Sequence, residues 1–275
     1  MGGRDLEDAL RARLALDGRC FVPYVTGGLP GVDPDLLRAL ADTGADAVEV
    51  GIPFSDPVMD GPVIQDASRL ALEAGATPWA VLEAVAGARL DRPVAVMTYL
   101  NPVLSMGIEV FLDRAGESGV SGLVVPDLPV DEAEELLGAC GRAGMALVLL
   151  AAPGLPPGRM RAIGERSRGF VYCVSTYGVT GERGSLGPTA EGVVAAMRQA
   201  SALPLLVGVG IGAPERAAEA CRFADGVIVG TALVRPLLRG EREEMLALAR
   251  RFRAAIPSSR LVSEPPSGGP LPPGE

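Results

Sequence analysis

Eight short, nearly continuous apolar runs punctuate the chain, at residues 21–25 (FVPYV), 46–50 (DAVEV), 93–98 (PVAVMT), 122–126 (GLVVP), 146–151 (ALVLLA), 170–174 (FVYCV), 204–208 (PLLVG) and 226–229 (GVIV). A strand with one wet face alternates apolar and polar residues. These runs do not, and they read as parallel strands covered on both faces. Between them apolar positions recur at spacings of three and four, as at 35–43 (DLLRALADT), 131–143 (DEAEELLGACGRA) and 190–199 (AEGVVAAMRQ), the period of a helix buried along one stripe. A β-α unit repeated eight times without an evident linker predicts an α/β fold, a single (β/α)₈ TIM barrel, with an open doubly wound sheet as the alternative. Leu6, Leu10 and Leu14 lie four apart and add an N-terminal amphipathic helix over 5–15 that could cover the bottom of the barrel. The barrel is expected to occupy residues 1–256. Residues 257–275 (PSSRLVSEPPSGGPLPPGE) are too rich in Pro, Gly and Ser to bury a core and predict a disordered tail with no assigned function.

Composition narrows the chemistry more than the fold. With aromatic residues at 4%, the core must be aliphatic and base-stacking platforms are disfavoured; a net charge of −9 disfavours a nucleic-acid footprint. No apolar run reaches membrane-spanning length, and Asp5, Glu7 and Asp8 near the start are unlike a secretion signal, so the expected location is cytoplasmic. The four cysteines (Cys20, Cys140, Cys173 and Cys221) are far apart and read as structural thiols in a reducing compartment. The chain has no His, and all 25 of its basic residues are Arg. A Ser-His-Asp triad, a His-ligated zinc, a Schiff-base lysine, a lysine-anchored pyridoxal phosphate and a P-loop are thereby excluded. Neither a cofactor nor a metal is expected in this chain, and acid-base work falls to Asp, Glu, Tyr or Cys.

In a (β/α)₈ barrel the catalytic groups lie at the C-terminal ends of strands and in the loops that follow. The second run carries Glu49 among apolar neighbours, where burial would raise its pKa towards that of a general acid, unless it merely pairs with an Arg. The loop after it, from Gly51 to Pro62, is long and apolar for a connector. Asp60, before Gly61-Pro62, could face the barrel mouth or simply cap a helix over 62–73; Asp56, before Pro57, has the same two readings. Glycine clusters follow three successive late strands: Gly178 to Gly181, Gly208 to Gly212, and Gly230 with Thr231. Backbone amides exposed there, with a helix N-terminus after the eighth strand, could cradle phosphate without any Lys; tight turns are the plainer reading. The stretch 208–213 also fits a loose G-x-G-x-x-A dinucleotide pattern, but the acid that should end the next strand is missing: Asp225 precedes it.

The run VEVGIPFSDPVMDGP at 48–62 resembles the signature of tryptophan synthase alpha chains. The resemblance extends through FVPYVTGGLPG at 21–31, MTYLNPV at 97–103, VPDLPVDEA at 125–133, YCVSTYGVTG at 172–181, GVGI at 208–211 and GVIVGTALV at 226–234, and so covers residues 5–256. It implies a carbon-carbon lyase that splits indole-3-glycerol phosphate into indole and glyceraldehyde 3-phosphate in tryptophan biosynthesis. By the same resemblance Glu49 is the principal acid-base, Asp60 contacts the indole nitrogen, Tyr24, Tyr172 and Thr180 adjoin the substrate, and Gly181, Gly210, Gly230 and Thr231 hold the phosphate. It further implies an α2β2 assembly in which the top loops, including 53–60, face a beta chain that carries pyridoxal phosphate and receives indole through a channel. This sequence departs from the common pattern at Met59, at Thr231, and at Thr176-Tyr177. Thr231 keeps a hydroxyl for phosphate, while the other departures bear on loop closure or partner coupling.

Retro-aldol cleavage needs an electron sink, and without a lysine iminium the indole ring itself must serve: protonation at carbon 3 gives an indolenine whose cationic nitrogen a carboxylate can stabilise. Neighbouring readings are another phosphate-binding barrel, such as a phosphoribosyl isomerase, or indole-glycerol-phosphate synthase, whose chemistry would want a Lys. A stand-alone indole-releasing lyase is a third. From a different class comes an idle regulatory partner that only binds phosphate, against which the intact Glu49 and Asp60 argue.

Overall fold

The structure, a computed structural model, describes residues 3–174 and 188–257. Eight strands form a closed, all-parallel barrel in which each strand pairs with the next and the eighth with the first. They are β1 (Cys20–Thr26), β2 (Val48–Gly51), β3 (Val94–Met97), β4 (Val120–Val124), β5 (Ala146–Ala151), β6 (Val171–Cys173), β7 (Leu205–Val207) and β8 (Gly226–Val229). Helix α1 (Gly3–Ala15) precedes the barrel, and the connections carry α2 (Pro34–Ala41), α3 (Pro62–Glu73), α4 (Pro78–Ala88), α5 (Leu100–Met106) and α6 (Ile108–Glu117). The second half adds α7 (Glu134–Ala143), α8 (Pro157–Arg166), α9 (Pro188–Ala200), α10 (Pro214–Ala220), α11 (Thr231–Leu238) and α12 (Arg242–Ala255). The open doubly wound alternative is thus excluded, because β8 closes on β1.

Every predicted strand is present, and the differences at their ends have local causes. β2 begins at Val48 instead of 46 because Asp46 belongs to the floor: its carboxylate accepts from the Phe21 amide at 2.9 Å and from Arg13 at 2.7 Å, with Arg253 of α12 at 3.4 Å. The segment 131–143 divides into a single 3₁₀ turn, Val130–Glu132, and then α7.

α1 does cover the bottom. Leu6 and Leu10 are fully buried, and a Cβ added to Gly122 of β4 would come within 2.5 Å of Leu6, so glycine there leaves room for the plug. With the lower end filled and the strands buried on both faces, the opposite rim is where a ligand can enter.

Candidate active site

β2 brings the first functional side chain to that rim. In a strand, alternate residues face opposite sides, so Glu49 faces away from Val48 and Val50, and the register sets it beside Tyr24 of β1 and Ala95 of β3. Glu49 is 1% exposed, and among the described residues neither of its carboxylate oxygens has a hydrogen-bond partner. An Arg partner is therefore not what keeps it there. Burial first, and the nearby Asp60 second, push its pKa up to about 8, which leaves it protonated at neutral pH.

Asp60 arrives from the loop after β2 and does not cap α3, whose N-cap is Gly61 without a side-chain bond. It is buried instead. The Tyr99 hydroxyl donates to its Oδ2 at 3.1 Å, and its backbone carbonyl accepts from Gln65 Nε2 at 2.8 Å. Burial raises the Asp60 pKa to about 6, against the lowering effect of Tyr99. Two carboxyl groups eleven residues apart in sequence are thus separated in protonation: at pH 7 one is neutral and the other mostly charged. Asp56 is exposed and remains outside the pair.

Asp60 lines a cavity of about 380 Å³ whose walls include Met97, Val124, Leu150, Tyr172 and Val209, an apolar enclosure of a size suited to a bicyclic ring. Tyr24 and Tyr172 are buried, and burial first, with the nearby Asp60 and Glu49 carboxyl groups adding to it, raises both phenols well above their ordinary value, so that they stay neutral. Each leans on a glycine. A Cβ on Gly51 would lie 2.1 Å from the Tyr24 hydroxyl, and one on Gly208 would lie 2.1 Å from the Tyr172 hydroxyl. Part of the glycine signal at 208–212 is therefore space for an aromatic ring.

The remainder of that signal lies along the same rim. Gly210 takes φ +90°, a conformation that favours glycine, and Gly230 is the N-cap of α11 with no side-chain bond. Thr231 opens α11; the Leu233 amide donates to the Gly230 carbonyl at 2.9 Å, while the amides of Thr231 and Ala232 have no helical carbonyl to bond, which is the usual setting for an anion. Tyr24 joins the two halves of the rim, since a Cβ on Gly230 would meet its ring at 3.3 Å. Glu49, Asp60, Tyr24, Tyr172, Gly210, Gly230 and Thr231 are thus gathered at one end of the barrel. Thr180, Gly181 and the Thr176-Tyr177 departure lie outside the described residues.

Tyr99, Met97 and Asp127 were not singled out by sequence reasoning. Tyr99 follows β3 directly, where barrels place functional side chains, and that position was the available signal.

Comparison with known proteins agrees with this fold. Residues 11–256 match the family described as Tryptophan synthase alpha chain. The tryptophan synthase alpha chain of a Synechococcus strain is 45% identical over 246 residues, spanning 87% of this chain and 91% of its own. That of a Synechocystis strain is 44% identical over 255 residues, spanning 89% and 94%. Among solved structures, a tryptophan synthase from Mycobacterium tuberculosis aligns with a TM-score of 0.86 at 36% identity, covering 91% of this chain and 97% of the other. An alpha chain from Legionella pneumophila gives 0.83 at 33% identity, covering 93% and 97%.

Proposed function

Since the chain belongs to the tryptophan synthase alpha chain family, and so is a lyase cleaving indole-3-glycerol phosphate in tryptophan biosynthesis, we propose that Glu49 and Asp60 carry that cleavage. The observation behind this reading is the burial of both carboxyl groups at one rim, Glu49 with neither oxygen hydrogen-bonded among the described residues and Asp60 accepting from Tyr99; this difference in surroundings drives their pKa values apart, to about 8 and about 6. Protonated Glu49 gives its proton to carbon 3 of the indole ring, and the Asp60 carboxylate stabilises the resulting charge at the ring nitrogen. Glu49, now ionised, takes the proton of the hydroxyl next to carbon 3. The carbon-carbon bond breaks, its electron pair restores the aromatic ring, and the hydroxyl carbon becomes the aldehyde of glyceraldehyde 3-phosphate. Glu49 ends protonated as it began, so the net change is one proton moved from oxygen to carbon. Tyr24, Tyr172 and Thr180 adjoin the substrate, and Gly181, Gly210, Gly230 and Thr231 hold its phosphate.

The sign of the pH dependence follows. Cleavage needs Asp60 ionised and Glu49 protonated, so kcat/KM is expected to rise as pH increases through about 6 and to fall above about 8. The two limbs belong to an interacting pair. Indole release from indole-3-glycerol phosphate, followed from pH 5 to 9 in the purified chain with and without a cognate beta chain, checks this; a profile flat across that range would remove the assignment.

The family works with a beta chain. We assign pyridoxal phosphate to that partner, since this chain has no Lys to anchor it, and an α2β2 assembly in the cytoplasm, with residues 1–256 as the catalytic domain. No described helix is long and apolar enough to cross a membrane. Docking through the 53–60 loop is supported by exposed apolar side chains there and on the next unit: Val58 at 68%, Met59 at 37% and Leu104 of α5 at 52%. Val58→Asp is expected to weaken beta-chain binding by about tenfold, measured by calorimetry, while the isolated chain keeps its own turnover. Unaltered affinity would place the interface elsewhere.

A further inference from the structure

We propose that Tyr99 is a positioning residue for the cleavage: its hydroxyl fixes the Asp60 carboxylate in the pocket and joins that side chain to the Met59 backbone of the same 53–60 loop. Tyr99 is 3% exposed, at the junction of β3 and α5. Its hydroxyl accepts a hydrogen bond from the Met59 amide at 2.9 Å and donates one to Asp60 Oδ2 at 3.1 Å. These two bonds fix the direction of donation. With the amide proton pointing at the phenol oxygen, the one hydroxyl proton goes to Asp60, and a donor of this kind favours a carboxylate that can only accept.

The ring is held in turn. It stacks on Phe54 with centroids 5.1 Å apart, and the next residue's amide, that of Leu100, donates to Asp127 Oδ1 at 2.9 Å, binding the loop after β3 to the one after β4. Phe54 and Met59 stand at opposite ends of the loop segment that carries Val58, so one aromatic side chain touches the partner-facing loop twice and the carboxylate once. Movement of that loop would therefore be felt at Asp60. The other titratable groups around Asp60 are Glu49 on β2, Tyr24 on β1, Tyr172 on β6 and Asp127 after β4. Arg159 of α8 also lines the cavity and is paired with Asp131. Among these, Tyr99 alone is seen bonded to the Asp60 carboxylate in the described residues.

This inference rests on Asp60 acting as a carboxylate at the ring nitrogen, so its test reads Asp60 directly as well as through turnover. Tyr99→Phe keeps the ring on Phe54 and removes only the hydroxyl. In the full-length chain bound to its beta chain, the acid limb of kcat/KM should move up by about one pH unit, so the loss is largest at low pH. In substrate-free chain carrying ¹³C-labelled aspartate, the Asp60 carboxyl resonance should titrate about one unit higher in the variant. A uniform loss at every pH with an unmoved Asp60 titration would reduce Tyr99 to packing and overturn the proposal. Should Tyr99→Phe fail to fold, 3-fluorotyrosine incorporated into the unmutated sequence makes the hydroxyl a stronger donor. The Asp60 titration must then move down; no movement overturns the proposal equally. Failure of the Asp60 assignment itself would show instead as turnover indifferent to Asp60→Asn.

Discussion

Glu49→Gln is expected to abolish indole release while making the protein more stable. General acid-base groups contribute about 10²- to 10⁴-fold, and a residue that gives one proton and takes another in the same turnover should lie at the upper end, so kcat should fall by about 10⁴. The stability gain comes from the same feature. Glu49 has a folded pKa of about 8 against an ordinary value of 4.5, so the native state holds a proton that the unfolded chain releases. A group raised in this way contributes its full share below the unfolded value and loses it as pH climbs through the folded one. At neutral pH the deficit is on the order of 3 kcal/mol. Glutamine has nearly the same shape and no proton to lose, so it escapes this deficit. Urea denaturation at pH 5 and pH 8 should show the variant close to the parent at the lower pH and clearly more stable at the higher one. Binding of glycerol phosphate at the Gly210 and Gly230 rim should persist in both. A variant that loses turnover and stability together would mean that Glu49 holds the barrel together instead of serving the reaction.

That opposition between stability and activity also explains how Glu49 could be found in the sequence. A carboxylate flanked by Val48 and Val50 breaks an otherwise apolar strand, and the break marks a position that folding alone would not choose. The strands were legible for the complementary reason: burial on both faces leaves a run of apolar residues that needs no distant information. Where the reading slipped, a long-range contact decided. Asp46 looked like the start of β2, yet Arg13 and Arg253, from the two ends of the chain, hold it in the floor.

Asp60 was harder, because Asp before Gly-Pro has the local grammar of a helix cap. Only the resemblance of the surrounding motif pointed to the ring nitrogen. Burial and Tyr99, 39 residues further along the chain, show that the local grammar does not hold here. Gly208 illustrates the same limit. Its partner is the Tyr172 ring from the preceding β-α unit, a closeness created by the parallel pairing of β6 with β7, and a glycine cluster read alone cannot distinguish space for a ring from amides for a phosphate.

Asp60→Asn should lower kcat by about 10²- to 10³-fold, the usual cost of deleting one preorganised electrostatic contact to a charge that develops during reaction. The substitution is informative because so much survives it. Asparagine keeps the volume, its carbonyl can still accept from Tyr99 and from a ring N–H, and only the negative charge goes. KM should change little, since the substrate's ring is neutral before protonation. The pH profile should alter at both ends. Its acid limb should vanish, because the group that titrates at about 6 is gone. Its basic limb should move to lower pH, because the Asp60 charge is one of the two causes that raise Glu49, and without it Glu49 ionises sooner. Acidifying the parent below pH 6 neutralises the same carboxylate, so parent and variant rates should converge there. If the Asn variant instead turns over within a few-fold of the parent at pH 7, the indolenine charge is balanced by another group. The divergent pair would then describe only the burial of two acids, and Glu49 would be left to perform the reaction without an ionised neighbour.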